Sequence, residues 1–330
     1  MNLISKLTAT FLIAALFAMP LVAQKGKGGE IVPQKDYKPP AMTEVPSIND
    51  IVRAAVMAEL DARKGGVKQE QVSATVIEVT DANNWKWGAF RGEEKYYPAS
   101  VPKMFYMAAV ERQLEDGKVT LTKELDRGMK DMVVDSSNDA TQYIVDVLTE
   151  TASGSELPQK EFEKWQYKRN RMNRYFAAMG FSNININQKI YCEDAYGIEQ
   201  QSRNYAGQNR NMLTTNATAR AIAEIVMGRL NTPERTERML NLLKRDPFSA
   251  VKDPDSQDHG FIGKMLADNH LHNVKIWSKA GWTSRARHDA AFLRTESGRQ
   301  YAIAIFTEGV AKDRDLVPAI AWRIFQELNK

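Results

Sequence analysis

YPASVPKMFYMAAVERQL, residues 97–114, is the stretch from which the rest of the chain can be read. From Met104 to Leu114 the residues are strongly apolar and Gly117 follows closely, so a buried helix is predicted there. Pro102 falls in its first turn, where a missing N–H costs nothing. Ser100 and Lys103 stand three apart and share one face, which lets the amine reach the hydroxyl. The positive end of a helix favours both a neutral amine and a developing alkoxide, the two forms that a serine nucleophile with a lysine base requires.

Upstream, Val72 to Val79 is β-branched and apolar, Asp81 to Asn84 is turn chemistry, and Trp85 to Phe90 can return as the second arm of a hairpin. Before it, Ser47 is read as the N-cap of a helix carrying Ile51, Ala54, Ala55, Val56 and Leu60 and stopped by Gly65 and Gly66. Downstream, Val119 to Glu237 is almost wholly helical in pattern. Strand signals return at Val274 to Ser278, Asp289 to Arg294 and Tyr301 to Thr307, and Asp313 to Leu328 closes the chain as a helix. Strands at both ends with helices between them predict an α+β fold. An antiparallel sheet lobe (about 47–117 and 270–330) is formed by both termini, with an all-helical lobe (about 118–269) inserted.

The chain of 330 residues carries a formal net charge of +4, with ordinary hydrophobic and charged fractions, so a fibrous or wholly disordered protein is excluded. Lys6, the apolar run Leu7 to Val22 and the small Ala23 read as a secretory signal over residues 1–23, which places the mature protein outside the cytoplasm, secreted or periplasmic. The run is short, contains Pro20 and is followed by Gln24, Lys25 and Lys27, which argues against a stable membrane span. Residues 24–46, rich in Gly, Lys and Pro, are read as a flexible tether, and 47–330 as one catalytic unit expected to be a monomer. Cys192 is the only cysteine, so no internal disulfide exists, and it is read as a buried small hydrophobe. Lys168, Arg169, Arg171 and Arg174 interleave with aromatics. Phe162, Trp165, Met172, Phe176 and Met179 recur at helical spacing, so this stretch is read as an amphipathic helix with a solvated basic face, not as a nucleic-acid site.

Two stretches have the S-x-x-K form, Ser100 to Lys103 and Ser249 to Lys252, and order decides between them. After Ser100 come Ser136-Ser137-Asn138, ahead of a helical pattern, and then Lys279-Ala280-Gly281 at the end of a strand signal. No Ser-x-Asn follows Ser249. This three-motif order resembles the serine β-lactamase class A and penicillin-binding (D,D-peptidase) superfamily. The resemblance extends to the hairpin at Val72 to Phe90, the turn at Gly117 to Leu121 and the strands within Asp289 to Thr307. It implies a β-lactamase/transpeptidase-like fold, and a serine hydrolase that opens a β-lactam amide through an acyl-enzyme on Ser100. By the resemblance, Lys103 takes the Ser100 proton and Ser136 relays a proton to the leaving nitrogen. Asn138 binds a substrate amide, and Lys279 faces the substrate carboxylate. Gly281 lies in the third motif, and the backbone N–H groups of Ser100 and Trp282 form the oxyanion hole. The partner implied is a small-molecule β-lactam or a D-Ala-D-Ala-type peptide, with no cofactor. A D,D-peptidase, or a β-lactam sensor that does not turn over, is the alternative.

Each motif residue also has a plainer reading. Ser136 can cap the following helix, Lys279 can be an exposed strand-end lysine, and Ser202-Arg203-Asn204 is a rival second motif. Ala280 departs from the family's hydroxyl residue, with Thr283, Ser284, Arg285 and Arg287 as candidates to compensate. No Glu-x-x-Leu-Asn loop is present. Glu193, Asp194 and Glu199 lie in the matching stretch, Glu199 nearest by spacing from Asn211, and all three are read as surface carboxylates. His270 and His272 with Asp268 lack further ligands, so no metal is expected. Arg287-His288-Asp289 has no nucleophile elbow to accompany it.

Overall fold

A computed structural model describes residues 29–250 and 253–330. The export signal over 1–23 and Lys252 of the second S-x-x-K pattern lie outside the described residues. The elements run β1 (Met42–Glu44), α1 (Pro46–Ala62), β2 (Val72–Glu78), β3 (Trp85–Phe90), α2 (Lys103–Glu115), α3 (Lys123–Val133), α4 (Asn138–Thr149), α5 (Gln159–Arg169) and α6 (Arg171–Ala178). They continue with α7 (Ile198–Arg203), α8 (Thr215–Val226), α9 (Pro233–Leu243), α10 (Ile262–Asp268), β4 (Lys275–Trp282), β5 (Ala286–Arg294), β6 (Gln300–Glu308) and α11 (Leu316–Leu328).

The strands join one sheet in the order β1-β3-β2-β6-β5-β4, so the N-terminal hairpin and the C-terminal meander meet through β2 and β6. Side chains alternate across β6. Ile303 and Ile305 join Val52, Val56, Leu266 and Ile320 beneath α1, α10 and α11. Ala302, Ala304 and Phe306 face the opposite core with the alanines of α8. Helix α2 runs through that second core and is buried from Lys103 to Leu114, which explains why its apolar residues occupy nearly the whole circumference.

The hairpin, the buried helix after Ser100, the three late strands, the helical insertion and the closing helix all stand as expected. Four readings change. The sheet has a sixth strand, β1, which pairs parallel with β3 and lies inside the segment read as a tether. The described part of that segment is packed: Ile31 is buried, Glu30 accepts from Arg174, and the Tyr37 hydroxyl donates to Glu224 Oε2 at 2.7 Å. Helix α1 starts two residues earlier than expected, with Pro46 in its first turn and Val45 rather than Ser47 as its cap. Helix α10 packs with α11 on the sheet's far face, although its sequence falls within the stretch assigned to the helical lobe. The basic helix is two helices broken at Asn170, and its face is not wholly solvated. Arg169 and Arg171 are buried, because each finds a carboxylate from another segment.

Candidate functional site

Ser100 stands in the turn that enters α2, directly after Ala99, whose φ of +48° is left-handed. A non-glycine residue there carries strain of roughly 1–3 kcal/mol, so the surroundings must hold it. They do so from the sheet. Gly281 on β4 comes so close that a Cβ at that position would lie 2.6 Å from Ser100 N and 2.8 Å from Pro98 O. The His288 ring on β5 donates from Nε2 to Tyr97 O at 3.0 Å, while its Nδ1 accepts from Thr307 N at 3.1 Å. Burial pushes His288 down to about 4, so the ring is neutral and committed to backbone. Asp289 accepts from Ile262 N at 3.0 Å, which leaves no Ser-His-Asp relay at Ser100.

Lys103 is fully buried and its Nζ faces Ser136 O at 2.5 Å, Asn138 Oδ1 at 2.9 Å and Ser136 Oγ at 3.3 Å. Desolvation pulls its ammonium from the usual lysine range to about 7, which makes the free amine available near neutrality. Ser136 is not the helix cap. Ser137 caps α4, its Oγ accepting from Ala140 N at 3.1 Å, whereas Ser136 adopts φ +58° and turns its hydroxyl inward between two lysines.

The second lysine is Lys279. It is buried, not an exposed strand end, and its Nζ donates to Ser136 Oγ at 3.0 Å, Gln257 Oε1 at 2.7 Å and Ala280 O at 2.7 Å. Burial and the neighbouring Lys103 hold its pKa well below the lysine range. With both lone pairs of Ser136 Oγ facing lysine donors, its own proton is free to point into the cleft. Among the described residues the Ser100 hydroxyl makes no hydrogen bond, and it borders the same cleft of about 950 Å³.

β4 is the edge strand and its outer side lines that cleft. Ala280 N donates outward, to Gln257 Oε1 at 3.1 Å, and Thr283 N donates inward, to Ala286 O at 2.8 Å. Alternation therefore turns the Trp282 N–H outward, next to the Ser100 turn that Gly281 touches. The expected residues Ser100, Lys103, Ser136, Asn138, Lys279, Gly281 and Trp282 are thus gathered at one place.

The loop carboxylates are not. Glu199 is buried, contrary to the surface reading, and Arg169 donates to it twice, at 2.6 and 2.8 Å, with Ser153 Oγ at 2.9 Å and Lys189 at 3.3 Å. Desolvation alone would raise its pKa, but Arg169 and Lys189 outweigh it and hold the carboxyl ionised. Glu193 and Asp194 are exposed, and Asp194 pairs with Arg203. From that stretch the cleft receives Ile190, Tyr191 and Cys192 instead. Cys192 is exposed, contrary to the buried reading, with Asn138 Nδ2 3.5 Å from its sulfur.

The rival motifs are placed elsewhere. Ser249 Oγ meets His259 Nε2 at 2.8 Å, and Ser202 is buried with its Oγ donating to Gln166 Oε1 at 2.6 Å. His270 and His272 stack on each other, and no group of three metal-ligating side chains occurs among the described residues. Gln257 and Arg245 line the cleft without any signal in the sequence, because both come from irregular segments with no period to read.

The family described as the beta-lactamase enzyme family matches residues 60–328. A beta-lactamase from Sphaerobacter thermophilus DSM 20745 superposes with a TM-score of 0.60 at 19% identity, over 85% of this chain and 97% of its own. TLA-1 extended spectrum beta-lactamase superposes at 0.62 with 14% identity, over 86% and 99%. A mutant of PBP-A, solved as an acyl-enzyme complex with penicillin G, gives 0.60 at 14% identity, over 88% and 99%. No curated protein sequence matches the chain.

Proposed function

The chain belongs to the beta-lactamase enzyme family, and from that premise we propose that it is an exported serine hydrolase whose Ser100 is acylated by a β-lactam amide. The observation that carries this reading is the Ser136 hydroxyl, held 3.3 Å from Lys103 and 3.0 Å from Lys279 beside Ser100. A free amine at Lys103 takes the Ser100 proton as Oγ attacks the lactam carbonyl. The oxyanion that forms meets the N–H groups of Ser100 and Trp282. When the C–N bond breaks, Ser136 passes its proton to the leaving nitrogen and is reprotonated from the lysine cluster, leaving an ester on Ser100 and an amine.

Hydrolysis of that ester needs a base to activate water, and Glu199, the nearest candidate by spacing, is bound into a buried ion pair. This favours slow deacylation, and with it a second reading as a D,D-peptidase or a β-lactam sensor. Mixing the purified protein with a chromogenic cephalosporin and a fluorescent penicillin separates them. Steady colour development supports the lactamase, and stable labelling supports the second reading. The absence of both sinks the proposal.

A further inference from the structure

We propose that Gln257 is a specificity-determining residue that disfavours acyl donors bearing a carboxylate beside the scissile amide. Its Oε1 accepts from both Lys279 Nζ (2.7 Å) and Ala280 N (3.1 Å), and its Nε2 donates to Val133 O (2.9 Å) and Val134 O (2.7 Å). The chain thus places its own carbonyl-type oxygen on the two outward donors of this part of the β4 edge. Lys279 Nζ already has three acceptors within reach, Ser136 Oγ, Gln257 Oε1 and Ala280 O, so no hydrogen on it is left over for a ligand. A carboxylate therefore gains a hydrogen bond from Lys279 only by expelling Gln257, which removes the side-chain donor from Val134 O, while Val133 O keeps Arg245.

The hydroxyls of Ser256, Thr283 and Ser284 also line the cleft, but none of them brings a charge to replace that of Lys279. Ala280 has no hydroxyl. Arg245 is buried, and its two terminal nitrogens donate to four carbonyls: Leu242 O, Lys244 O, Val133 O and Ser278 O. Arg287 is bound to Asp255, Pro254 O and Gly260 O. Asp135, Asp253 and Asp258 line the cleft alongside Lys244 and Arg245, while Asp255 is paired with Arg287 and Arg314. A neutral donor meets none of these costs.

The inference rests on acylation of Ser100 as proposed above. Its test compares penicillin G with its methyl ester, which share the lactam and side chain and differ only in the carboxylate. Acylation rate constants are read by intact-protein mass spectrometry for the wild type, Gln257→Ala and Gln257→Glu. The acid-to-ester ratio is taken within each protein, so a misfolded fraction cancels. The ratio is expected to rise at least tenfold in Gln257→Ala, where Lys279 is released. In Gln257→Glu it is expected to fall at least threefold, because a resident carboxylate holds Lys279 harder. A ratio that stays within threefold of wild type in Gln257→Ala, or that rises in Gln257→Glu, overturns the proposal while leaving acylation at Ser100 standing. No adduct from either compound on wild type fails the functional reading itself, and this inference with it.

Discussion

Arg169 and Glu199, thirty positions apart in sequence, meet through two hydrogen bonds of 2.6 and 2.8 Å with both side chains shut off from water. Removing one partner of such a pair leaves an uncompensated buried charge and costs about 3–5 kcal/mol. Glu199→Gln is therefore expected to lower the melting temperature by many degrees, measured by calorimetry or circular dichroism. At temperatures where the variant is folded, its ratio of acylation to deacylation rate is expected to match wild type. A selective loss of deacylation would identify Glu199 as the water-activating base and contradict its structural role.

The Lys103 ammonium, brought to about 7 by burial, must lose its proton before it can accept one from Ser100. Acylation is thus expected to be slow at pH 5.5, to rise with pH, and to level off above about pH 8. Because Lys103 and Lys279 both face Ser136, the midpoint belongs to the cluster rather than to either lysine. Stopped-flow labelling with a fluorescent penicillin checks this. A rate that is flat from pH 6 to 8 would mean that no group of this kind gates the attack.

Gly281→Ala places a methyl group 2.6 Å from Ser100 N and 2.9 Å from Val101 N, and these neighbours are backbone that cannot swing aside. The turn carrying Ser100 must move, and a displacement near 1 Å at a reacting group is worth about 100-fold in rate. A fall of that order in acylation is expected, with near-native circular dichroism. Wild-type acylation in this variant would show that the close approach of β4 does not set the position of Ser100.

Cys192 faces the cleft, so a maleimide should label the native protein stoichiometrically without denaturant. Labelling should slow once a penicillin is bound at Ser100, because the adduct shares the cleft with the thiol. A thiol that reacts only after unfolding would restore the buried reading made from the sequence.

Much of this site was legible because it rests on local pattern. The apolar surround of Met104 to Leu114 foretold a buried helix, and the order Ser100, Ser136, Lys279 foretold a meeting that the sheet then delivers. What stayed hidden depends on partners distant in the chain. Arg169 looked solvated because Glu199 lies on another segment, and Glu199 looked superficial for the same reason. β1 has three residues, too few for an alternating signal to emerge beside Pro46. Gln257 sits in a polar loop, where its contacts with Lys279 and Val134 are set by the fold alone. The inward turn of Ser136 depends on a positive φ, which a serine ahead of a helix does not announce.

The central claim is that Ser100, and not Ser249, carries the acyl group. Incubating the protein with penicillin G and measuring its intact mass tests this directly, because ring opening loses no fragment and the adduct carries the whole lactam. Peptide mapping then assigns the modified residue. The expected result is one adduct on the peptide containing Ser100, present in wild type and Ser249→Ala and absent in Ser100→Ala. An adduct that survives in Ser100→Ala, or disappears in Ser249→Ala, would contradict the account.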